Sequence, residues 1–231
     1  MSTNALSVLG QFFYEPEQGF AAIQKKTMAW LPLILMTIPS AALFYWYFQA
    51  VDFSWLIEQM LSTNAKMKPE EREMAAKFMT RNTMMYSTVI GTLIMPLIVT
   101  LITAVYFTIA SKVLGSDIKF SKWFSFSAWT SVPALLGLPL MAFQIMNGGE
   151  RLMMDELNML SLNFLIAHVP HTHAWAGWLS AVSIPALWTV FLSYVGLRAW
   201  TGRSALSCAL VASIPFVLIF GTWALKLLFS H

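Results

Sequence analysis

Two long runs without a charged side chain constrain this protein more than any other feature. No Asp, Glu, Lys or Arg occurs between Arg81 and Lys112, and none between Lys122 and Glu150. Each run exceeds the ~20 apolar residues with which a helix crosses about 30 Å of hydrocarbon. Lipid offers backbone amides no partner, so the expected form is a helix that closes its own hydrogen bonds. The link between the runs, KVLGSDIKFSKW, gathers Lys112, Lys119 and Lys122 at one membrane face, which predicts the cytoplasmic side.

Composition supports this reading. Only 11% of residues are charged, against roughly a quarter in a soluble domain. Mean hydropathy is +0.64, and the ten Trp suit membrane interfaces. The basic balance, with a sequence pI near 9.0, sits beside apolar runs, where insertion topology and anionic lipid account for it. Nucleic acid is therefore not an expected partner. A single cysteine, Cys208, excludes an intrachain disulfide and a thiolate metal cage.

In chain order, residues 1–27 read as an interfacial amphipathic leader. Leu6, Leu9 and Phe13 recur at helical spacing, Pro16 restarts the chain, and Phe20 and Ile23 form a second stripe before Lys25 and Lys26. Residues 28–231 read as one all-α polytopic transmembrane bundle of five helices, with spans at about 28–50, 83–111, 123–146, 175–197 and 205–229. Segment 51–82 carries five bases and five acids and predicts a helical hairpin, its second helix opened by Pro69 and the acids Glu70, Glu71 and Glu73. The stretch ERLMMDELNMLSLNFL predicts a further amphipathic helix, with Leu152, Leu157, Leu160 and Phe164 on one side. Bases in alternate short links (Lys25 and Lys26; Lys112, Lys119 and Lys122; Arg198 and Arg203) put the N-terminus inside and the C-terminus outside.

Every span contains proline, and Ser-x-Pro recurs at Ser131–Pro133, Ser183–Pro185 and Ser213–Pro215. Pro96, Pro133, Pro185 and Pro215 are candidate helix kinks: a proline within a helix frees a carbonyl that a neighbour must satisfy. Ser87 with Gly91, and Ala205 with Ala209 and Ser213, form small-residue ridges that let helices approach closely. His168, His171 and His173 are the candidate metal ligands, but Pro170 interrupts their register, and a polar interfacial loop is the preferred reading. The methionines Met153, Met154 and Met159 are read as packing residues rather than a copper site.

The span interiors hold no Asp, Glu, Lys or Arg, which argues against ion pumping and charged-substrate transport. No nucleophile elbow, zinc-protease motif or phosphate loop occurs, so no catalytic residue, cofactor or enzymatic activity is expected.

Three stretches resemble the YIP family (Ypt/Rab-interacting protein) of integral membrane domains in its compact bacterial form. They are LGQFFYEPEQGFAAIQKKTMAWLPLIL, with Pro16, Phe20, the basic pair and the Trp30–Pro32 start of the first span; VLGSDIKFSKWFSFSAWTSVPALLGLP, with its glycine turn and Ser-x-Pro; and VGLRAWTGRSALSCALVASIP. The resemblance implies five spans and a cytoplasmic N-terminus. In eukaryotic members it also implies small-GTPase binding and vesicle traffic, but the Asp-Leu-Tyr-Gly-Pro type motif of those proteins does not occur here; Tyr14-Glu15-Pro16 stands in the comparable place. The expected function is non-enzymatic: organising partner membrane proteins or lipids by lateral association, including self-association, in the inner (plasma) membrane. The alternative is a carrier or scramblase for an uncharged or lipidic substrate.

Overall fold

The computed structural model describes residues 5–62 and 68–229. The first four residues of the predicted leader, residues 63–67 of the predicted hairpin and the last two residues of the predicted membrane domain lie outside them. The described chain is helical, with an isolated antiparallel bridge between Ser161 and Ser183 and no strand. The helices are α1 (Ala5–Tyr14), α2 (Pro16–Lys25), α3 (Trp30–Ala50), α4 (Phe53–Ser62), α5 (Pro69–Phe78), α6 (Arg81–Val113), α7 (Phe120–Thr130), α8 (Gly137–Asn147), α9 (Ala176–Ala181), α10 (Ile184–Thr201), α11 (Ala205–Phe216) and α12 (Thr222–Phe229).

Four stretches are long and apolar enough to cross a bilayer: Trp30–Ala50, Arg81–Val113, Phe120–Asn147 and Ala205–Phe229. Their outward side chains are largely apolar, as lipid contact requires, with Ile90, Val99, Ile102 and Ile109 exposed along α6 alone. The remaining predicted span, 175–197, is broken into α9 and α10. Pro185 has no N–H to offer the carbonyl of Ala181, and the carbonyl of Val182 instead accepts the Leu162 N–H at 2.7 Å. A helix begins readily at such a proline, and the bond from Leu162 takes up a carbonyl just before it. Of the five expected crossings, the structure supplies four as near-continuous helices.

The chain divides into two compact units. One comprises Met1–Met36, Met95–Leu135 and Ile184–His231; the other comprises Thr37–Ile94 and Leu136–Ser183.

The first unit is built around aromatic rings. Phe12, Phe20, Phe107, Trp123, Phe126 and Trp129 are fully or almost fully buried, and Trp200 nearly so. Phe12 stacks on Trp129 at 4.9 Å and meets Phe20 edge-on at 4.9 Å, while Phe126 lies 5.0 Å from Phe20 and 5.1 Å from Trp200. Offset and edge-on pairs of this kind add about 0.5–1.5 kcal/mol each beyond area burial. Indole donors tie the leader and the residue after it to this core: Trp200 Nε1–H donates to the Phe20 carbonyl at 3.0 Å, and Trp129 Nε1–H donates to the Met28 carbonyl at 2.9 Å. The leader thus contributes to the core, with Val8, Phe12, Phe20 and Ile23 all at zero exposure. In α1 the buried stripe is Val8 and Phe12, whereas Leu6 of the predicted stripe is exposed. Both faces of α1 are apolar, and the partner rings of α2 and α7 decide which one is covered.

The second unit centres on Tyr47, Phe48, Val51, Leu56, Met85, Met141, Ile145, Leu152 and Leu157. Arg81 closes the end of α3: its guanidinium donates to the Phe48 carbonyl and, at 3.2 Å, to that of Val51. These carbonyls have no helical donor of their own, and a cation is favoured at a helix C-terminus. Tyr47 donates its hydroxyl to the Leu152 carbonyl at 2.8 Å, anchoring the segment after α8.

That segment is not the amphipathic helix its periodicity predicts. Residues 150–168 hold a 3₁₀ turn (Met154–Leu157), the bridge at Ser161 and a π turn (Asn163–Ala167). Polar side chains take over the backbone here. Asn158 donates to the Ser180 carbonyl at 3.0 Å, Ser161 accepts from the Phe164 N–H at 3.2 Å, and Asn163 bonds both the N–H and the carbonyl of Val169. Such side chains compete with helical hydrogen bonds.

Candidate functional site

Two features are able to serve a function: an uncovered ridge on α6 and a polar cavity in the second unit. The ridge carries Ser87, which is exposed, and Gly91, which is partly so. A methyl group added at Gly91 would meet no atom within 4 Å. Gly196 is the opposite case, since a methyl there would fall inside the rings of Phe126 and Phe20. The fold therefore consumes the small size of Gly196 internally and leaves that of Gly91 unused. On α11, Cys208 and Ala212 face the core of the first unit. Ala205 is exposed, Ala209 and Ser213 are half-buried, and Ser213 returns its hydroxyl to the Ala209 carbonyl at 2.8 Å.

The four prolines occupy different settings. Pro96 lies inside α6, where the Thr100 hydroxyl donates to its carbonyl at 2.7 Å. Pro133 is buried in a 3₁₀ turn (Val132–Leu136) between α7 and α8, and the Ser131 hydroxyl donates to the Ala128 carbonyl at 2.8 Å. Pro215 lies inside α11, two residues before a π turn (Val217–Gly221). Pro185 stands second in α10, at a helix start rather than mid-helix. Ser-x-Pro therefore produces a different local geometry at each of its three occurrences.

The three histidines are only partly brought together. His173 Nδ1 accepts the Trp175 N–H at 3.2 Å. His168 ends the π turn in the left-handed region, at φ 48, and is the one non-glycine residue there among those described. His168 and His171 line a cavity of about 520 Å³ with Gln144, Asp155, Glu156 and Asn163. Asp155 and His171 also border a second, more apolar cavity of about 300 Å³ formed by Leu56, Met60, Met153, Met154 and Ala176. Asp155 Oδ1 and His171 Nε2 are both shielded from solvent and have no hydrogen-bond partner. Among the described residues, no group of three or more His, Cys, Asp or Glu is arranged to hold a metal ion. Sequence reasoning did not single out Asp155, because it sits within a Met- and Leu-rich run that reads as an amphipathic face.

Several apolar crossing helices with a lipid-compatible exterior define a multi-pass membrane protein. The Yip1 domain family model matches residues 10–225, and the chain belongs to that family. The match begins inside α1 and ends inside α12, so the second half of α1, all of α2 and the broken fourth segment fall within the domain. No curated protein and no solved structure matches the chain.

Proposed function

We propose that this Yip1-family protein is a non-enzymatic organiser of the membrane, associating laterally with a second membrane protein or a second copy of itself through the Ser87–Gly91 ridge of α6. The observation that carries this reading is the open space at Gly91. Association in lipid gains nothing from the hydrophobic effect and depends on close backbone approach, which small residues permit. A ridge already filled from within the chain has nothing left to offer a partner; this one is unfilled. The chain crosses the bilayer five times, with α10 making the fourth crossing in chain order, and its N-terminus lies inside and its C-terminus outside. The α10 helix of 18 residues rises about 27 Å at 1.5 Å per residue, close to the hydrocarbon thickness. The basic links Lys112–Lys122 and Arg198–Arg203 face the cytoplasm at an inner membrane.

The test is lipophilic crosslinking in native membranes. Cross-linked species are expected from the unaltered protein and are lost in Gly91→Leu, whose bulkier side chain keeps a partner helix away. Recovery of monomer alone from the unaltered protein would contradict the proposal.

A second reading, a carrier or scramblase for a lipidic substrate, draws on one observation: the adjoining polar and apolar cavities of the second unit.

A further inference from the structure

We propose that the leader carries a binding site for the head group of an anionic phospholipid, in the hollow beside Lys25 and Lys26. The inference goes beyond the association read from the α6 ridge and depends neither on it nor on the number of crossings.

The argument starts from the distribution of charge. The first unit holds eight Lys and Arg against three acids, whereas the second holds six against eight. Within the first unit, α2 separates its own charges. Glu15 and Glu17 lie at its start and line a hollow with Phe191 and Val195; Lys25 and Lys26 lie at its end and line another, of about 300 Å³. Gln11 and Met28 also line the basic hollow, Gln18 borders both, and among the described residues no carboxylate lines the basic one.

The backbone that carries the two lysines is held in place. Lys122 of α7 donates its ammonium to the Gln24 carbonyl, which fixes the end of α2 and sets a third cation at the same corner. Met28 is gripped from both sides, its N–H donating to the Ser125 hydroxyl at 3.3 Å and its carbonyl accepting the Trp129 indole N–H at 2.9 Å. Lys25 and Lys26 themselves are exposed. Ammonium groups on a fixed backbone suit the oxygens of a phosphate, and the glutamine amides add neutral donors.

Two features favour a lipid phosphate over a soluble one. Lys26 lies four residues before Trp30, where the first long apolar helix begins, so the hollow stands at head-group depth. Below it, Trp30 and Ile34 follow at helical spacing and are 66% and 49% exposed, an apolar stripe for the acyl chain of a lipid whose phosphate lies among the lysines. A soluble anion would use the lysines and leave the stripe uncovered. A choline-headed lipid brings its own cation to the phosphate, so a head without one is preferred.

The full-length protein is placed in phosphatidylcholine nanodiscs carrying a trace photoactivatable lipid, headed by glycerol or by choline and otherwise identical. Labelling of residues 11–34 is read by mass spectrometry. The expected result is about tenfold more labelling by the anionic glycerol-headed probe, in line with the contribution of two lysines near a membrane surface. Lys25→Gln combined with Lys26→Gln is expected to bring labelling down to the choline level, and Lys25→Arg with Lys26→Arg to keep it. Lys112→Gln with Arg203→Gln, which removes two other exposed bases of the same unit, is expected to leave the preference in place. Equal labelling by the two probes in the unaltered protein would overturn the inference without reference to any variant. Loss of the preference in the Lys112 and Arg203 variant as complete as in the Lys25 and Lys26 variant would also overturn it, since attraction would then belong to the whole charged end and not to the hollow. So would abolition of the labelling by soluble glycerophosphoglycerol equimolar with the probe, which would make the ligand a free phosphate ester.

Discussion

At Gly196 the backbone of α10 lies against the Phe126 and Phe20 rings with no room for a side chain. Gly196→Ala forces those rings off their positions, and overpacking of this kind costs about 1–3 kcal/mol. The measurable result is a lower melting temperature in detergent, whereas Gly91→Ala, which meets open space, leaves it unchanged. The pair separates a glycine required by the fold from one available to a partner. Arg81 offers a second residue-level test. Arg81→Met removes both donors to the Phe48 and Val51 carbonyls, and hydrogen bonds from a charged group contribute about 1.5–3 kcal/mol each. Loss of stability is expected, and Arg81→Lys restores only part of it, because a single ammonium lacks the fork that reaches two carbonyls.

At the scale of elements, the leader and the segment after α8 show how far sequence carries. The uncharged runs at 82–111 and 123–149 are legible because length and apolarity alone specify a crossing helix. The depth at which α1 and α2 sit is not legible, because α1 is apolar on both faces and the choice of Val8 and Phe12 over Leu6 is made by rings on other helices. Phe20→Ala is accordingly expected to lower stability by about 3–5 kcal/mol, the cost of truncating a core aromatic, where a purely interfacial leader would register little change. Thermal unfolding followed by tryptophan fluorescence reads the difference. The segment at 150–168 misleads for another reason. Its leucines and methionines keep a helical period, but Asn158, Ser161 and Asn163 bind backbone groups and break the helix into turns. That rearrangement places Asp155 and His171 at one wall, so the polar site arises from the very residues that defeat the periodicity. The small-residue ridge of α6 was legible as a pattern, but only the packing shows that it is uncovered.

For the whole molecule, the decisive property is the parity of its crossings. Four stretches are long and apolar enough to cross as near-continuous helices, and the proposed five-span arrangement adds α10 as one more. Odd parity would set the two ends of the chain on opposite sides and, with the N-terminus inside as proposed, would make both later basic links, Lys112–Lys122 and Arg198–Arg203, cytoplasmic. Even parity would move the last link or bury it. The role proposed for the α6 ridge is the same in either case, but the orientation in which it would meet a partner is not. The most direct measurement is a paired reporter fusion, with alkaline phosphatase and green fluorescent protein each joined after the last residue and, separately, in the link at 115–118. An active phosphatase and a dark fluorescent protein at the C-terminus, with the reverse pattern at 115–118, is the predicted result. A fluorescent C-terminus with inactive phosphatase would mean an even number of crossings and contradict the five-span account.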